Sequence, residues 1–352
     1  MANKLNLKTI AEMAGVSKVT VSNVLNGKYD RVSKETIERV QKIIEVTNYR
    51  PSATARSLSL KQSHIIGVVI PYLYEDETFS RRPYTAHMLG CLEKYIRSQG
   101  YYMMPRCVAE SMDALPDFTA WNVDGAFVLD LIGEDALRFQ DKLNIPTVFI
   151  DTYADYTSLA TVHADDYKGG YLAAKYLLDK GHRQIAFVSP PLIGGIGVMH
   201  ERHRGFCDAL REQGIELDQD HHVVTESVLL EHGVEAGEQI AASKLHITAV
   251  AATADVLALG VMKGLRRGGK QVPDDVSVIG FDGLPECEHS YPALTSISQR
   301  LKEKAQCASE YLFSLLRGDT TTSGNRKTDV DLIERESVKT IETPLPRELK
   351  TP

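Results

Sequence analysis

The chain has 352 residues, of which 43% are hydrophobic and 25% charged, an ordinary balance for a globular protein of two or three domains. No apolar run is long enough to cross a membrane and no secretory signal peptide is visible, so we expect neither a membrane protein nor a secreted one. The five cysteines are scattered without a C-x-x-C pair, which argues against a zinc or disulfide framework and indicates a cytoplasmic protein.

The formal net charge of −7 hides an asymmetry along the chain. Residues 1–62 carry eleven Lys and Arg against five Asp and Glu, a net charge of +6, whereas the remaining residues sum to −13. A basic N-terminal segment on an acidic body is expected if the N-terminal segment alone contacts DNA phosphates.

The stretch from Thr9 to Asn26 has the pattern of two short helices. Gly15 offers a tight break between them, and Ser17 can cap the second helix. The positions predicted to face inward are Ile10, Met13, Ala14, Val21, Val24 and Leu25. Two helices joined by a glycine turn predict a helix-turn-helix, although the motif by itself also fits an ordinary αα-hairpin.

If the motif binds DNA, the outward side chains of its second helix would face base edges. These side chains are Lys18, Val19 and Asn23; Lys favours guanine, Asn adenine, and Val a thymine methyl. Phosphate contacts are expected from residues at helix starts and on the outer face, namely Thr9, Ser17, Thr20, Ser22, Asn26 and Ser33.

A third helix is predicted after Ser33 and ends at Tyr49–Pro51, because the residue before a proline is disfavoured in the α region. Residues 1–50 therefore form one small all-α domain. Residues 51–62 have little to bury, and they are predicted to be either a linker or a helix that forms when something supports it.

From His64 onward, buried-strand runs alternate with helical patterns, beginning with HIIGVVI and ending with a helix over 302–316. This alternation predicts parallel sheets covered by helices on both faces, and the length predicts two lobes. We assign residues 63–162 and 292–320 to an N-lobe, and 163–291 and 321–345 to a C-lobe.

Short motifs in both parts resemble the LacI/GalR family of bacterial transcriptional regulators. The N-terminal motifs are AGVS, TVS, VLNG, VS-x-x-T, YRP and ARSL, and those of the body include NVDGAFVL, DKGHRQIAFVS and VPDDVSVIGFD. The resemblance implies an N-terminal all-α helix-turn-helix domain with a hinge helix. An α/β two-lobed, periplasmic-binding-protein-like core with parallel sheets would follow.

The resemblance also implies how the N-terminal domain and the segment after it contact DNA. Ala55 and Leu58 match the hinge helix, whose leucine would enter the minor groove; the alternative is that Leu58 packs on the core. Asn23 stands where many family members carry Arg, so its half-site is expected to differ from theirs.

Ligand groups in parallel α/β sheets lie at the carboxyl ends of strands, a rule that Asp151, Asp165 and Asp282 satisfy. The resemblance implies that Arg202 and Asp282 lie in a ligand cleft. Asp166 and Ala254 both stand at positions where members of the family often have Asn. The predicted effector site comprises Asp151, Asp165, Asp166, Arg202, Ala254 and Asp282.

The sequence contains no G-x-S-x-G, H-E-x-x-H or Walker A motif, so we expect no catalytic residues, metal or cofactor. The prediction is a DNA-binding repressor that forms a homodimer or tetramer on a near-palindromic operator and answers to a small molecule, a sugar or sugar derivative. Two alternatives are a core that answers to a protein such as a phosphocarrier and, less well supported, an enzyme on the α/β core.

Overall fold

The computed structural model describes residues 5–25, 27–49, 62–71, 81–109, 111–131, 133–153, 158–192, 195–319 and 324–341. The chain divides after His64 into two compact units, which we call the head and the core. The predicted hinge, with Ala55 and Leu58, lies outside the described residues, as does Asn26.

Short helices separated by tight turns make up the described head. They are α1 (Leu7–Ala14), α2 (Lys18–Leu25) and α3 (Lys34–Thr47), with one 3₁₀ turn (Tyr29–Arg31) between α2 and α3. The Asn6 side chain caps α1 by accepting hydrogen bonds from the backbone N–H of Lys8 at 2.9 Å and of Thr9 at 3.1 Å. Gly15 ends α1 in the left-handed conformation, with φ of 64°, that permits the sharp turn into α2.

The head has its own apolar core, formed by Ile10, Ala11, Ala14, Val21, Val24, Val40 and Tyr49. The prediction that Met13 is buried was wrong, since Met13 is 54% exposed. The inward face of α1 passes through Leu7, Ile10, Ala11 and Ala14, and Met13 lies outside it. The Arg39 Nε donates to the carbonyl of Ala14 at 3.1 Å and so ties α3 to the end of α1.

The strands of the core form two sheets, one in each lobe. The N-lobe sheet contains β1 (Ile65–Pro71), β2 (Tyr102–Val108), β3 (Gly125–Leu129), β4 (Thr147–Ile150), β5 (Thr161–Ala164) and β11 (Asn325–Thr328), in the order β11-β5-β4-β3-β1-β2. The C-lobe sheet contains β6 (Ile185–Ser189), β7 (His222–Val224), β8 (Ala249–Ala252), β9 (Ser277–Asp282), β10 (Thr295–Ser298) and β12 (Asp331–Ile333), in the order β12-β10-β9-β8-β6-β7. Between the described strands, all pairings are parallel except that of β10 with β12.

Helices cover both faces of each sheet. The described helices of the core are α4 (Pro83–Ser98), α5 (Leu115–Trp121), α6 (Gly133–Leu143), α7 (Asp166–Asp179), α8 (Val198–Arg211), α9 (Leu230–Ala242), α10 (Asp255–Arg267) and α11 (Leu301–Leu316). An apolar cluster fills each interface between a sheet and its helices. On the N-lobe sheet, α4 and α11 cover one face and α5 and α6 cover the other. On the C-lobe sheet, α7 and α8 cover one face and α9 and α10 cover the other. None of these described helices has the length and hydropathy needed to span a bilayer.

Two strands near the C-terminus belong to the lobes opposite to those we predicted. β10, predicted for the N-lobe, pairs with β9 in the C-lobe sheet, with Ser298 opposite Asp282. β11, predicted for the C-lobe, pairs with β5 in the N-lobe sheet, with Asn325 opposite Thr161. The residues of a four-residue strand do not determine which distant strand it pairs with, so the lobe boundaries in this region could not be predicted from local sequence patterns.

The sequence pattern also missed β2, a seven-residue strand with Pro105 in its middle. A proline cannot donate to a strand ladder and argues against a central strand. β2 lies at the edge of the N-lobe sheet, next to β1, where the missing donor can face away from the sheet.

Helices α7 and α8 pack at unusually close range through two glycines. A Cβ on Gly170 would lie 1.9 Å from the carbonyl oxygen of Arg202, and a Cβ on Gly205 would lie 2.0 Å from that of Tyr167. Backbone atoms occupy both spaces, so a larger residue cannot be accommodated by a side-chain rotation. The separation of α7 and α8 therefore depends on glycine at these positions.

We predict that Gly170→Ala lowers the free energy of unfolding by about 1–3 kcal/mol, because the added methyl group must push two helix backbones apart. Urea-induced unfolding followed by circular dichroism measures this change. Gly90→Ala on α4 is the matched control, since a Cβ there meets nothing within 4 Å and alanine favours a helix. Equal destabilisation by the two substitutions would contradict the close-packing explanation.

Candidate functional site

A cavity of about 320 Å³ lies between the two lobes of the core. Many of its lining residues end a strand or follow one within two residues: Pro71, Asp130, Asp151, Pro190, Ala254, Asp282 and Gln299. The carboxyl ends of both sheets therefore face one space, which is the position expected for a ligand site in parallel α/β folds. Beside it the lobes touch through Arg81 and Glu231, and through His87 Nε2 and Glu286 Oε1 at 2.9 Å.

On the N-lobe side, a buried ion pair holds Asp151. Lys304, on α11, is fully buried, and its Nζ donates to Asp151 Oδ1 at 2.6 Å. The Tyr84 hydroxyl donates to the other carboxylate oxygen. Burial and then the charge of Asp151 raise the pKa of Tyr84 well above its usual value, so the phenol keeps its proton as a donor.

The same lysine connects Asp151 to the C-lobe. Lys304 Nζ donates to Gln299 Oε1 at 2.7 Å, and Gln299 Nε2 donates to Asp282 Oδ1 at 2.6 Å. Asp282 Oδ2 accepts the backbone N–H of Asp255 at 3.3 Å. Burial and then the charge of Asp255 raise the pKa of Asp282 to about 8, because two buried carboxylates this close cannot both ionise easily.

Arg202 enters the cavity from α8. Its Nε donates to Asp166 Oδ1 at 2.8 Å, its Nη1 donates to the carbonyl of Thr253 at 2.6 Å, and its guanidinium lies 3.7 Å from the ring centre of Phe281. Burial lowers the pKa of Arg202, but the charges of Asp166 and Asp282 outweigh this, so the net shift is upward and the side chain stays cationic. Tyr153 completes the arrangement by donating to Asp166 Oδ2 at 2.7 Å.

Of the six predicted effector residues, Asp151, Arg202, Ala254 and Asp282 line the cavity. Asp166 does not line it, but orients Arg202 from behind. Asp165 is not part of the lining either: its side chain caps α7 by accepting the N–H of Lys168 at 3.1 Å and contacts Lys327 at 2.6 Å. The two adjacent aspartates thus have different roles, because one is the cap and the other the first residue of α7.

Sequence reasoning missed Asp130, Tyr84, Gln299 and Lys304. Asp130 directly follows β3 and could have been found by the strand-end rule that identified Asp151. Lys304 lies among the apolar positions of α11, and a lysine on a buried helix face was the available signal, since lysine is rarely buried without a partner.

In the head, the outer surface of α2 carries the residues predicted to read bases. Val19 is 68% exposed, Lys18 is exposed and Asn23 is partly exposed. An exposed valine beside a lysine on a short helix suits contact with base edges in a major groove.

The predicted phosphate-binding residues differ in their local roles. The hydroxyls of Ser17 and Thr20 lie 2.9 Å apart, and Ser17 Oγ also accepts the N–H of Thr20 at 3.1 Å. Ser33 Oγ accepts the N–H of Thr36 at 3.4 Å as the cap of α3. Thr9 and Ser22 are partly exposed. These residues lie at or near helix starts, except for Ser22, which lies within α2.

Within the described ranges, no group of three or more His, Cys, Asp or Glu side chains has a geometry that could hold a metal ion.

Comparison with known proteins finds matches for both the head and the core. Residues 6–52 match the lacI family of bacterial regulatory proteins, and residues 174–338 match a periplasmic binding protein-like domain. The HTH-type transcriptional repressors PurR of Erwinia tasmaniensis and of Serratia proteamaculans are each 33% identical to this chain over 341 residues, covering 94% of it and 96% of the relative.

Solved structures give the same result. A lac repressor dimer bound to operator and the anti-inducer ONPF aligns with a TM-score of 0.83 and 26% identity, covering 96% of this chain and all of that one. The transcriptional regulator CelR in complex with cellobiose aligns with a TM-score of 0.71 and 26% identity, covering 95% of this chain and 99% of that one. A LacI family regulator from Enterococcus faecium with bound ribose aligns with a TM-score of 0.67 and 25% identity, covering 79% of this chain and all of that one.

The chain belongs to the lacI family of bacterial regulatory proteins, and it is a DNA-binding transcriptional regulator. This confirms the resemblance and the fold class that the sequence predicted.

We predict that Lys304→Met lowers the free energy of unfolding by about 3–5 kcal/mol, because it leaves the buried Asp151 carboxylate without its cation. Adding Asp151→Asn should restore most of that loss, since the pair is then neutral. Urea-induced unfolding of the wild type, both single variants and the double variant gives the coupling energy. A double variant no more stable than Lys304→Met would show that the ion pair is not what stabilises this part of the cleft.

Proposed function

We propose that the chain is a repressor that binds a near-palindromic operator as a homodimer and changes its DNA affinity when a small, hydroxyl-rich molecule occupies the cavity of the core. The observation that carries this proposal is the convergence of Asp151, Arg202 and Asp282 on one cavity, in a chain whose head is a helix-turn-helix. We propose no turnover of the ligand.

In this proposal α2 of each head enters a major groove. Lys18, Val19 and Asn23 contact base edges, and Thr9, Ser17, Thr20, Ser22, Asn26 and Ser33 contact phosphates. Ala55 and Leu58 take the minor groove at the operator centre. A lac repressor dimer bound to operator is a structural neighbour of this chain, which supports a dimer with half-sites about one helical turn, roughly 34–36 Å, apart.

The chemistry of the cavity supports a ligand with many hydroxyl groups. Carboxylates accept hydrogen bonds from hydroxyls, the guanidinium of Arg202 donates, and apolar groups such as Val198, Met199 and Val256 can cover the faces of a sugar ring. Two structural neighbours are described with sugars, cellobiose and ribose, which supports the same ligand class. A ligand preferred in one state of the two lobes shifts the population of that state and hence the DNA affinity.

For the head, we predict that Lys18→Ala weakens binding to the specific operator by about 1–3 kcal/mol while leaving binding to unrelated DNA nearly unchanged, because a base contact is lost and the phosphate contacts remain. Fluorescence anisotropy with operator and scrambled duplexes over a salt series measures both affinities. Lys42→Ala on α3, distant in sequence from the proposed contacts, is the control. An equal loss on both duplexes would assign Lys18 to the phosphates instead.

For the core, we predict that a member of a panel of mono- and disaccharides raises the melting temperature of the full chain and changes its operator affinity, since a ligand that binds the folded state stabilises it. Arg202→Lys should reduce the shift, because lysine cannot keep the two-directional hydrogen bonding of the guanidinium. Nucleosides and nucleobases form the second half of the panel. Stabilisation by these alone would overturn the proposed ligand class, and a shift with a phosphocarrier protein alone would favour a protein partner.

A further inference from the structure

The main cavity adjoins a second one of about 160 Å³, and the two share four lining residues: Asp130, Asp151, Val198 and Met199. The shared wall therefore contains two carboxylates. A ligand that fills the main cavity and reaches into the second must pass both of them.

Most charged groups around this space are already engaged within the protein. Asp151 accepts from Lys304 and Tyr84, Asp282 accepts from Gln299, and Arg202 donates to Asp166. These hydrogen bonds hold each group in place and limit what it can offer a ligand.

Asp130 differs from these groups. Its backbone N–H donates to the carbonyl of Ile150 at 3.0 Å, so it follows β3 at the same level at which Asp151 follows β4. Both aspartates have left-handed backbone angles, φ of 53° and 59°, which turn the chain at the strand ends. Among the described residues, no hydrogen bond reaches the carboxylate of Asp130, and the residue is exposed where it lines the two cavities.

Asp151, Arg82, Lys304 and Arg202 are the charged groups that act on Asp130, and within the described residues its carboxylate forms no ion pair with any of the three cations. Burial, followed by the neighbouring charge of Asp151, raises the pKa of Asp130 to about 6, while Arg82, Lys304 and Arg202 act in the opposite direction. Two of these cations, Lys304 and Arg202, are each within 2.8 Å of another carboxylate. Desolvation by the walls of the cleft and the charge of Asp151 both disfavour the ionised form of Asp130, and a cation bound in the cavity beside it would stabilise that form.

We propose that the effector carries a protonated amine beside its hydroxyl groups, as in an amino sugar, and that the ammonium binds the Asp130 carboxylate. The inference rests on the proposed function, because it requires that the cavity bind a hydroxyl-rich molecule. Asp130 is then the residue that determines specificity, since a neutral sugar of the same shape gains no charge-assisted hydrogen bond there.

Matched pairs of ligands test this inference directly. We would measure the binding of glucosamine, galactosamine and mannosamine, and of glucose, galactose and mannose, to the full chain by isothermal titration calorimetry. An amino sugar should bind at least about tenfold more tightly than its parent sugar. In Asp130→Asn the two members of the pair should bind equally, and Asp141→Asn, an exposed carboxylate outside the cavity, should keep the preference.

The pH dependence gives a second readout. Lowering the pH through about 6 protonates Asp130 and removes its charge, so the affinity for the amino sugar should fall, and the fall should be absent in Asp130→Asn. A parent sugar should show no such Asp130-dependent change. Thermal unfolding of Asp130→Asn checks that the variant remains folded.

The possible outcomes separate this inference from the proposed function. If parent and amino sugars bind equally to the wild type, the amine preference is overturned and the sugar-responsive function stands. If the preference persists in Asp130→Asn, the assignment to Asp130 is overturned. If no sugar of either kind binds, both the ligand class and this inference fail.

Discussion

The cleft depends on one buried ion pair. Lys304 and Asp151 come from different elements of the N-lobe, and both have been removed from water, at a cost that their contact at 2.6 Å and the additional hydrogen bonds must offset. Gln299 accepts a hydrogen bond from Lys304 and donates one to Asp282, so the positions of Asp151 in the N-lobe and Asp282 in the C-lobe are connected. A movement of one lobe must therefore break, stretch or carry along a continuous series of charged and amide groups. Such a series connects the arrangement of the two lobes to the groups that line the cavity.

The parts of this architecture that local patterns determine were predictable. Gly15, the serine caps and the apolar spacing predict the helix-turn-helix, and the alternation of strands and helices predicts two parallel sheets. Met13 was misplaced because the prediction grouped it with Ile10 by their spacing of three residues, whereas Leu7, Ala11 and Ala14 put the centre of the buried face on the other side of Ile10. The lobe assignments of β10 and β11 failed for another reason, since short strands carry no local record of the distant strand that they join.

The candidate site was predictable to the extent that a strand end identifies it. Asp151 and Asp282 follow from that rule, and so does Asp130, although it was not singled out. Lys304 and Tyr84 come from helices at distant positions in the sequence, and their meeting at Asp151 is a property of the folded chain. Asp165 also follows a strand end, but its side chain caps a helix and does not line the cavity.

The glycine contact between α7 and α8 affects the position of a residue that lines the cavity. The backbone carbonyl that meets Gly170 belongs to Arg202, the residue that presents its guanidinium to the cavity. The spacing of α7 and α8 therefore sets how far the Arg202 side chain reaches into the cavity. Substitutions at this helix contact can therefore change the geometry of the cavity without replacing any residue that lines it.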